Sequence, residues 1–401
     1  MLQENSLRIF FRLSRSTKTN KLYNVIRTLS IPFIFLCTLC FVSCQPHTKT
    51  DDAEEVSDTH FAKGFSIKKY GTYTEVIIKE PYPNAPKAIR YLLVPKHESI
   101  PPHDNEVQVI RTPIESIVCT STSHIALLDQ LNAIDLLVGF PSTDLISTSR
   151  ARAQIDAGKV TELGIDNNMN MELLIALQPE LVMGYSLAGD LSKLDKLKEF
   201  GIPMVINAEY LEDHPLGRAE WIKYFALFID KEQMADSIFT TIKNEYLKSE
   251  AIASQVTSKP TVMSGILYGD AWFLPGGKNY MAKLFSDAGY RYLWEDDSSN
   301  GFLKLSFETV LAKGETVDYW IGVGSFKSLS EMKSAEERYS LFRVFNDGGV
   351  YTYDARKGAT GGSEYLELGY ARPDIVLKDL IKIAHPELVP DHKLYFHKKL
   401  E

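Results

Sequence analysis

Residues 114–140, IESIVCTSTSHIALLDQLNAIDLLVGF, contain the pattern on which the fold prediction rests. Residues 114–120 are a short apolar run typical of a buried strand, and the hydroxyl-rich turn 121–123 has the composition of a helix cap. Apolar residues then recur at helical spacing over 124–131, and residues 136–140 have the pattern of the next strand. A strand, a helix and a second strand in this order predict a parallel α/β sheet.

The same alternation continues along the chain in two blocks. A long helix separates the blocks: Met234, Ile238, Ile242 and Tyr246 recur every four residues, and the predicted helix ends near residue 253. At 1.5 Å per residue this helix spans roughly 35 Å, which suits a link between two lobes. Further strands are predicted at 72–79, 89–95, 181–185, 202–206, 261–268 and 318–323, and further helices at 171–177, 191–200, 216–228, 279–288, 305–312 and 373–383.

The composition excludes several classes of protein. The 401 residues are 44% hydrophobic and 24% charged, which is ordinary for a globular protein and excludes a disordered chain, a collagen-like fibre and a polytopic membrane protein. Four cysteines are too few for a disulfide-stapled scaffold. A net charge of −8 gives no general affinity for nucleic acid.

The N-terminus has the pattern of an export signal. Basic residues between Arg8 and Arg27 precede an uncharged apolar run, residues 28–43, that is too short for a comfortable membrane span. The run ends in FVSC, where Cys44 resembles the acylated cysteine of a bacterial lipobox, although that pattern prefers leucine where Phe41 stands. We predict a signal peptide over 1–43, an acyl anchor on Cys44 and a polar tether over 44–60. An ordinary signal peptide with an incidental cysteine is the alternative.

One local pattern occurs in both blocks. Asn170-Met171-Glu172 begins a short helix that leads into the strand near 181, and Ser306-Phe307-Glu308 begins a helix that leads into the strand near 318. An acidic residue near a helix N-terminus is stabilised by the helix dipole, by less than about 1 kcal/mol, so this pattern alone does not indicate function.

From residue 61 onward the chain resembles the substrate-binding proteins of ABC importers for iron–siderophore complexes, haem or cobalamin. The resemblance lies in GIDNNMNMELLIALQPELVMGY (164–185), GGKNYMAKLFSDAGYRYLW (276–294), LKLSFETVLA (303–312) and YLELGYARPDIVLKDLIKIAHPEL (365–388). No single motif is decisive, but their order is specific.

The resemblance implies two Rossmann-like α/β lobes joined by a single long α-helix, the class III periplasmic-binding-protein fold. It implies an N-terminal lobe over 61–229, a linking helix over 230–256 and a C-terminal lobe over 257–401. It also implies a lipoprotein anchored in a membrane and facing the periplasm, which delivers its ligand to an ABC permease dimer served by an ATPase. Glu172 and Glu308 are expected to dock on arginines of the two permease subunits.

The ligand is expected in the cleft between the lobes, at loops that follow the strands. Aromatic walls suit a large planar ligand. Arg150, Arg152, Arg356, Lys357 and Arg372 are either contacts for an anionic chelate or ordinary surface charges. The matching positions for ligand contact are Ser121, Ser123 and Tyr185 in the first lobe, and Trp272, Phe273, Phe302, Glu364 and Tyr365 in the second.

The sequence contains no pattern that favours catalysis or a directly bound metal. The nine histidines form no HExxH motif, and no GxSxG, P-loop or GxGxxG occurs between a strand and a helix. We therefore expect a binding protein without enzymatic activity, metal site or cofactor, and a single linking helix that limits hinge closure to about 20°. The alternatives are a surface or outer-membrane lipoprotein that passes ligand to a receptor or scaffolds a complex, and a receptor for bare metal ions.

Overall fold

The computed structural model describes residues 59–401 except 166, 167 and 188, and leaves out the side chains of Lys193 and Leu194. The predicted signal peptide, Cys44 and the tether up to residue 58 lie outside the described residues. All described residues belong to one compact unit, Ala53–Glu401. Among them, no helix is both long and apolar enough to cross a membrane.

A four-stranded sheet precedes the parallel sheet of the first lobe. Its strands are β1 (Phe65–Lys69), β2 (Thr74–Ile78), β3 (Ile89–Pro95) and β4 (Gln108–Thr112), in that order. The β2–β3 pair is antiparallel, with Thr74 opposite Leu93, so the strands predicted at 72–79 and 89–95 form a hairpin. The buried carboxylate of Glu220 holds the segment that precedes β1 in place, because it accepts hydrogen bonds from the backbone N–H groups of Phe61 and Ala62.

The first lobe has a five-stranded parallel sheet in the order β7-β6-β5-β8-β9. Cys119 at the end of β5 is fully buried. The strands are β5 (Ile117–Cys119), β6 (Leu137–Phe140), β7 (Thr161–Glu162), β8 (Leu181–Gly184) and β9 (Met204–Ile206). The helices are α1 (Thr122–Gln130), α2 (Ser149–Asp156), α3 (Met171–Leu177), α4 (Ser192–Asp195), which continues as a 3₁₀ turn to Phe200, and α5 (Pro215–Ala226).

The long linking helix is α6 (Glu232–Ala253), 22 residues and about 33 Å in length. The buried residues of α6 form a stripe and recur at alternating intervals of four and three residues, whereas the sequence prediction assumed a uniform interval of four. Met234 is 37% exposed and lies outside the stripe, a correction to the predicted face, because 3.6 residues per turn carries a strict four-residue row around the helix. The stripe consists of Ala235, Phe239, Ile242, Tyr246, Ser249 and Ala253.

The second lobe has a sheet in the order β13-β10-β15-β16-β17, parallel except for β17. Two lobes of this kind joined by α6 confirm the predicted fold class. The strands are β10 (Thr261–Met263), β13 (Arg291–Tyr292), β15 (Tyr319–Ile321), β16 (Val350–Thr352) and β17 (Lys398–Lys399). The helices are α7 (Tyr280–Asp287), α8 (Phe307–Gly314), α9 (Leu329–Ala335), α10 (Arg343–Asp347) and α11 (Pro373–Ala384), and a π-helical turn spans Tyr365–Gly369.

A three-stranded antiparallel meander, β11 (Ile266–Tyr268), β12 (Ala271–Pro275) and β14 (Phe302–Leu305), covers part of the second lobe. The prediction of one strand over 261–268 is wrong, because the chain turns at Gly265 between β10 and β11. Gly265 has φ +81°, and a Cβ there would lie 1.9 Å from the carbonyl oxygen of Phe273. The turn therefore requires glycine.

Candidate ligand site and docking surface

A chain of hydrogen bonds follows the carboxyl end of β5. Ser121 precedes α1, and its Oγ lies 2.9 Å from the Oγ of Ser123 instead of capping the helix. Ser123 donates to Oε1 of Glu209, 2.5 Å away, in the segment after β9. The two predicted serines are therefore brought together, and Ser121 is the more exposed of them.

Glu209 is a buried residue that the sequence analysis missed. Burial raises the pKa of its carboxyl group, and the hydrogen bond from Ser123 opposes that rise. Its Oε2 has no partner among the described residues. A glutamate in a short 3₁₀ turn carries no sequence signal of its own. Only the sheet order, in which β8 alone separates β5 from β9, shows that Glu209 lies close to Ser123.

His124 follows the serines and is fully buried. Neither ring nitrogen has a hydrogen-bond partner within the described chain, and desolvation lowers the pKa of the ring to about 3. The imidazole is therefore neutral at physiological pH and packs near Phe225.

Tyr185 lies directly after β8 and packs edge-on against Tyr210, with 6.5 Å between ring centroids. Tyr210 donates its hydroxyl to the carbonyl oxygen of Ser186 over 2.5 Å. Burial raises the pKa of Tyr210 to about 12, and the carboxylates of Glu209 and Glu80 add to the rise. These rings line the carboxyl ends of β8 and β9, where open α/β sheets bind ligands.

The meander separates the predicted aromatic residues onto two faces. Phe273 and Phe302 lie on the outer face, 39% and 67% exposed, together with Tyr268, which is 79% exposed and was missed. Trp272 lies on the inner face, fully buried, with its Nε1 donating to the carbonyl oxygen of Ser264. Because strand side chains alternate between faces, neighbouring residues 272 and 273 point in opposite directions.

Glu364 and Tyr365 lie after β16, and both have protein partners. Glu364 accepts from Arg356 over 2.8 Å and from the hydroxyl of Tyr395. Tyr365 is buried and stacks on Tyr353 with centroids 4.8 Å apart. The structure thus places Tyr365 in the packing of the second lobe, while a fifth of the Glu364 side chain stays exposed.

The five basic residues considered as ligand contacts all have a carboxylate partner, which satisfies part of their charge. The pairs are Arg150 with Asp129, Arg152 with Asp156, Arg356 with Glu364, Lys357 with Asp354 and Arg372 with Asp374, at 2.7 to 3.2 Å. Among the described residues, no group of three histidine, cysteine, aspartate or glutamate side chains is placed to hold a metal ion.

Glu172 and Glu308 occupy matched positions on the two lobes. Each is the second residue after a capping residue: Asn170 accepts from the N–H of Leu173 at the start of α3, and Ser306 accepts from the N–H of Thr309 at the start of α8. Both glutamates are exposed. The carboxylate of Glu308 lies 3.4 Å from the guanidinium of Arg338. Such a pair on the surface contributes little to stability.

The two lobes contact each other through a lobe clasp, defined as residues 144–148 of the first lobe and 358–367 of the second. Glu367 is fully buried, and its carboxylate accepts from the backbone N–H groups of Ser147 and Thr148 and from both hydroxyls. Thr360 donates to the carbonyl oxygen of Asp144 over 2.8 Å. No pattern in the sequence indicates this contact.

A second contact across the lobe boundary involves Arg218 of α5. Its guanidinium lies 3.5 Å from the ring centroid of Tyr280 and 5.1 Å from that of Tyr370. The same group donates to the carbonyl oxygens of Tyr210 and Glu212, so this buried cation is satisfied.

Two α/β lobes on one long helix, with polar and aromatic residues after the strands, define a two-lobed solute-binding protein. The profile of the periplasmic binding protein family matches residues 117–355, and the chain belongs to that family. The family consists of solute-binding proteins.

Similar proteins include an uncharacterized lipoprotein of Methanocaldococcus jannaschii, 28% identical over 77% of this chain and 76% of the relative. A vitamin B12-binding protein of Vibrio parahaemolyticus is 23% identical over 39% of this chain and 55% of its own length. A periplasmic heme-binding protein from Pseudomonas aeruginosa has a similar fold, with TM-score 0.52, 18% identity, and coverage of 68% of this chain and 94% of its own.

Proposed function

We propose that this chain is the substrate-binding lipoprotein of an ABC importer, which captures an iron–siderophore complex, haem or cobalamin between its lobes and delivers it to an inner-membrane permease. The observation that carries the proposal is the matched placement of Glu172 and Glu308, exposed at equivalent helix starts on two lobes. Two equivalent acidic points suit a permease built from two equivalent subunits.

The exposed aromatic rings support a cargo with flat apolar faces. Phe273, Phe302 and Tyr268 offer large exposed ring surfaces on one face of the meander, and Tyr185 lies with Tyr210 on the other lobe. Rings of this kind bind planar groups with little loss of rotamer entropy. We place ligand contact on Ser121, Ser123, Tyr185, Phe273, Phe302 and Glu364. Trp272 and Tyr365 are buried, and we assign them a supporting role in the packing of the second lobe.

Haem, cyanocobalamin and several ferric siderophores should be titrated into the full chain, purified in nanodiscs, while tryptophan fluorescence is recorded and calorimetry checks the binding. Saturable submicromolar binding of one compound is the expected result. The absence of binding to every compound would contradict the proposed cargo class.

Docking is tested separately from binding. Glu172→Arg and Glu308→Arg together should abolish uptake of the bound compound while its dissociation constant stays nearly unchanged, because both residues lie at helix starts on the surface. Glu199→Arg, at another exposed glutamate, is the matched control. Normal uptake by the double variant would refute the docking assignment.

The anchor at Cys44 agrees with relatives that are named lipoproteins. Cys44→Ala should release the chain from the membrane fraction, and persistent membrane retention would contradict an acyl anchor. Separating inner from outer membranes would distinguish the importer component from a surface lipoprotein that hands ligand to a receptor.

A further inference from the structure

The hairpin loop between β2 and β3, residues 79–88 (KEPYPNAPKA), is long for its type, since most hairpins turn within two to five residues. It precedes the residues that match the family profile. Loops of this length in compact domains commonly have a functional reason.

The loop is built to hold Tyr82 in one orientation. Pro81 and Pro83 flank the tyrosine and fix the backbone φ angle on both sides. The N–H of Ala85 donates to the carbonyl oxygen of Tyr82 over 3.1 Å, and Asn84 has φ +60°, a turn with proline second and a left-handed residue third. The N–H of Asn84 also donates to Oε1 of Glu80.

Tyr82 lies against the segment that follows β8. A Cβ on Gly189 would be 3.0 Å from the Tyr82 ring, so the ring rests on the glycine backbone. That segment begins with Tyr185. The Glu80 carboxylate in the loop is close enough to Tyr210 to raise the pKa of the Tyr210 hydroxyl. The loop therefore reaches the carboxyl ends of β8 and β9, where it contacts the segment that follows Tyr185 and lies near Tyr210.

The side chain of Tyr82 has remaining capacity for contact. It is half-buried, and within the described part of the chain its hydroxyl has no hydrogen-bond partner and its ring pairs with no other aromatic ring. Leu187, in the same segment as Gly189, is 65% exposed. A tyrosine fixed against a segment that also exposes a leucine can bind an apolar surface at low entropy cost.

We propose that Tyr82 is a ligand-binding residue, which the N-terminal hairpin adds to the first-lobe side of the site, where its ring stacks on a planar ring of the cargo beside Tyr185 and Tyr210. This inference rests on the proposed function, because it assumes a cargo bound at the ends of these strands. It assigns the sheet β1–β4 a role in selecting cargo in addition to packing on the first lobe.

The test compares Tyr82→Ala and Tyr82→Phe with wild type in the full chain, with haem, cyanocobalamin and a ferric catecholate siderophore as probes. Loss of the ring should raise the dissociation constant of the bound probe about tenfold, and phenylalanine should stay within about twofold of wild type. Tyr70→Ala is the matched control, because Tyr70 stacks on Tyr73 at the opposite end of the same sheet.

Hydrogen–deuterium exchange of residues 79–88 gives a second readout that needs no substitution, and loading with the bound probe should slow it. Unchanged affinity in Tyr82→Ala, or unchanged exchange on loading, would overturn the role of Tyr82 while leaving the proposed function intact. If wild type binds no probe, the proposed cargo class fails, and this inference fails with it.

Discussion

Two carboxyl groups, on Glu209 and Glu367, are buried between elements that are distant in sequence. Burial raises the pKa of both, because the ionised form loses its hydration, and hydrogen bonds from hydroxyls and backbone N–H groups offset only part of that effect. Each group therefore binds its proton more tightly in the folded chain than in the unfolded chain. As pH rises above the ordinary pKa of glutamate, the unfolded chain releases these protons first, so the free energy of unfolding falls.

Glu209→Gln should reduce this pH dependence. Below about pH 4.5, the ordinary value for glutamate, both folded and unfolded chains are protonated and the substitution should change little. Above it the unfolded chain ionises first, so wild type loses free energy of unfolding relative to the variant. Glutamine keeps an acceptor for Ser123, so the hydrogen bond remains.

Urea unfolding between pH 4 and 8 measures the effect, with exposed Glu199→Gln as control. The difference between Glu209→Gln and wild type should grow in favour of the variant with pH. A difference that is constant across this range would contradict a raised pKa for Glu209.

Patterns in the sequence indicated which residues to consider as candidates, but they did not indicate which residues those candidates contact. Glu172 and Glu308 were selected because each is the second residue after a capping residue, a local pattern that occurs in both blocks. Their docking role came from the family resemblance and stays a prediction. Glu367 was missed because its partners, Ser147 and Thr148, lie about 220 residues away. A contact of that sequence separation leaves no periodicity.

At the scale of elements, helix α3 was predicted with its observed bounds, because a capping asparagine precedes it and Pro179 follows. The meander was missed as a unit, although its residues were chosen for their aromatic character. Alternation predicts that Trp272 and Phe273 face opposite sides, but not which side is the core. Which side is the core depends on two residues that pack on Trp272: Trp320 in strand β15 of the second lobe and Tyr339 in a later turn.

The start of the meander depends on one glycine. Gly265→Ala should destabilise the chain by about 2 kcal/mol or more, because the left-handed backbone alone costs an alanine about 1 kcal/mol and the added Cβ would meet the carbonyl oxygen of Phe273. Gly269→Ala is the matched control: φ is +62° and a Cβ there would meet nothing within 4 Å, so only the backbone cost remains.

Thermal unfolding followed by circular dichroism measures both glycine variants. Gly265→Ala should melt clearly below Gly269→Ala. Equal melting temperatures would show that β12 moves away from residue 265 without cost, and that the close approach does not set the strand break.

At the scale of the whole molecule, the lobes are joined by more than helix α6. The sequence analysis expected limited hinge closure from the stiffness of one helix. The lobe clasp and the stacking of Arg218 on Tyr280 add contacts across the same boundary. Opening the lobes would expose the Glu367 carboxylate and leave its four donors without that acceptor.

The clasp predicts that ligand binding changes the distance between the lobes very little. Spin labels at Lys159 on the first lobe and Lys333 on the second, both exposed, should give one distance distribution with the same mean in the empty and loaded full chain. Glu367→Ala should broaden the distribution in the empty chain, because α2 loses the acceptor at its N-terminus and the lobes lose their buried tie. Exposed Glu337→Ala should leave it unchanged. Two separated distances in wild type, or no broadening in Glu367→Ala, would refute the clasp as the restraint on lobe motion.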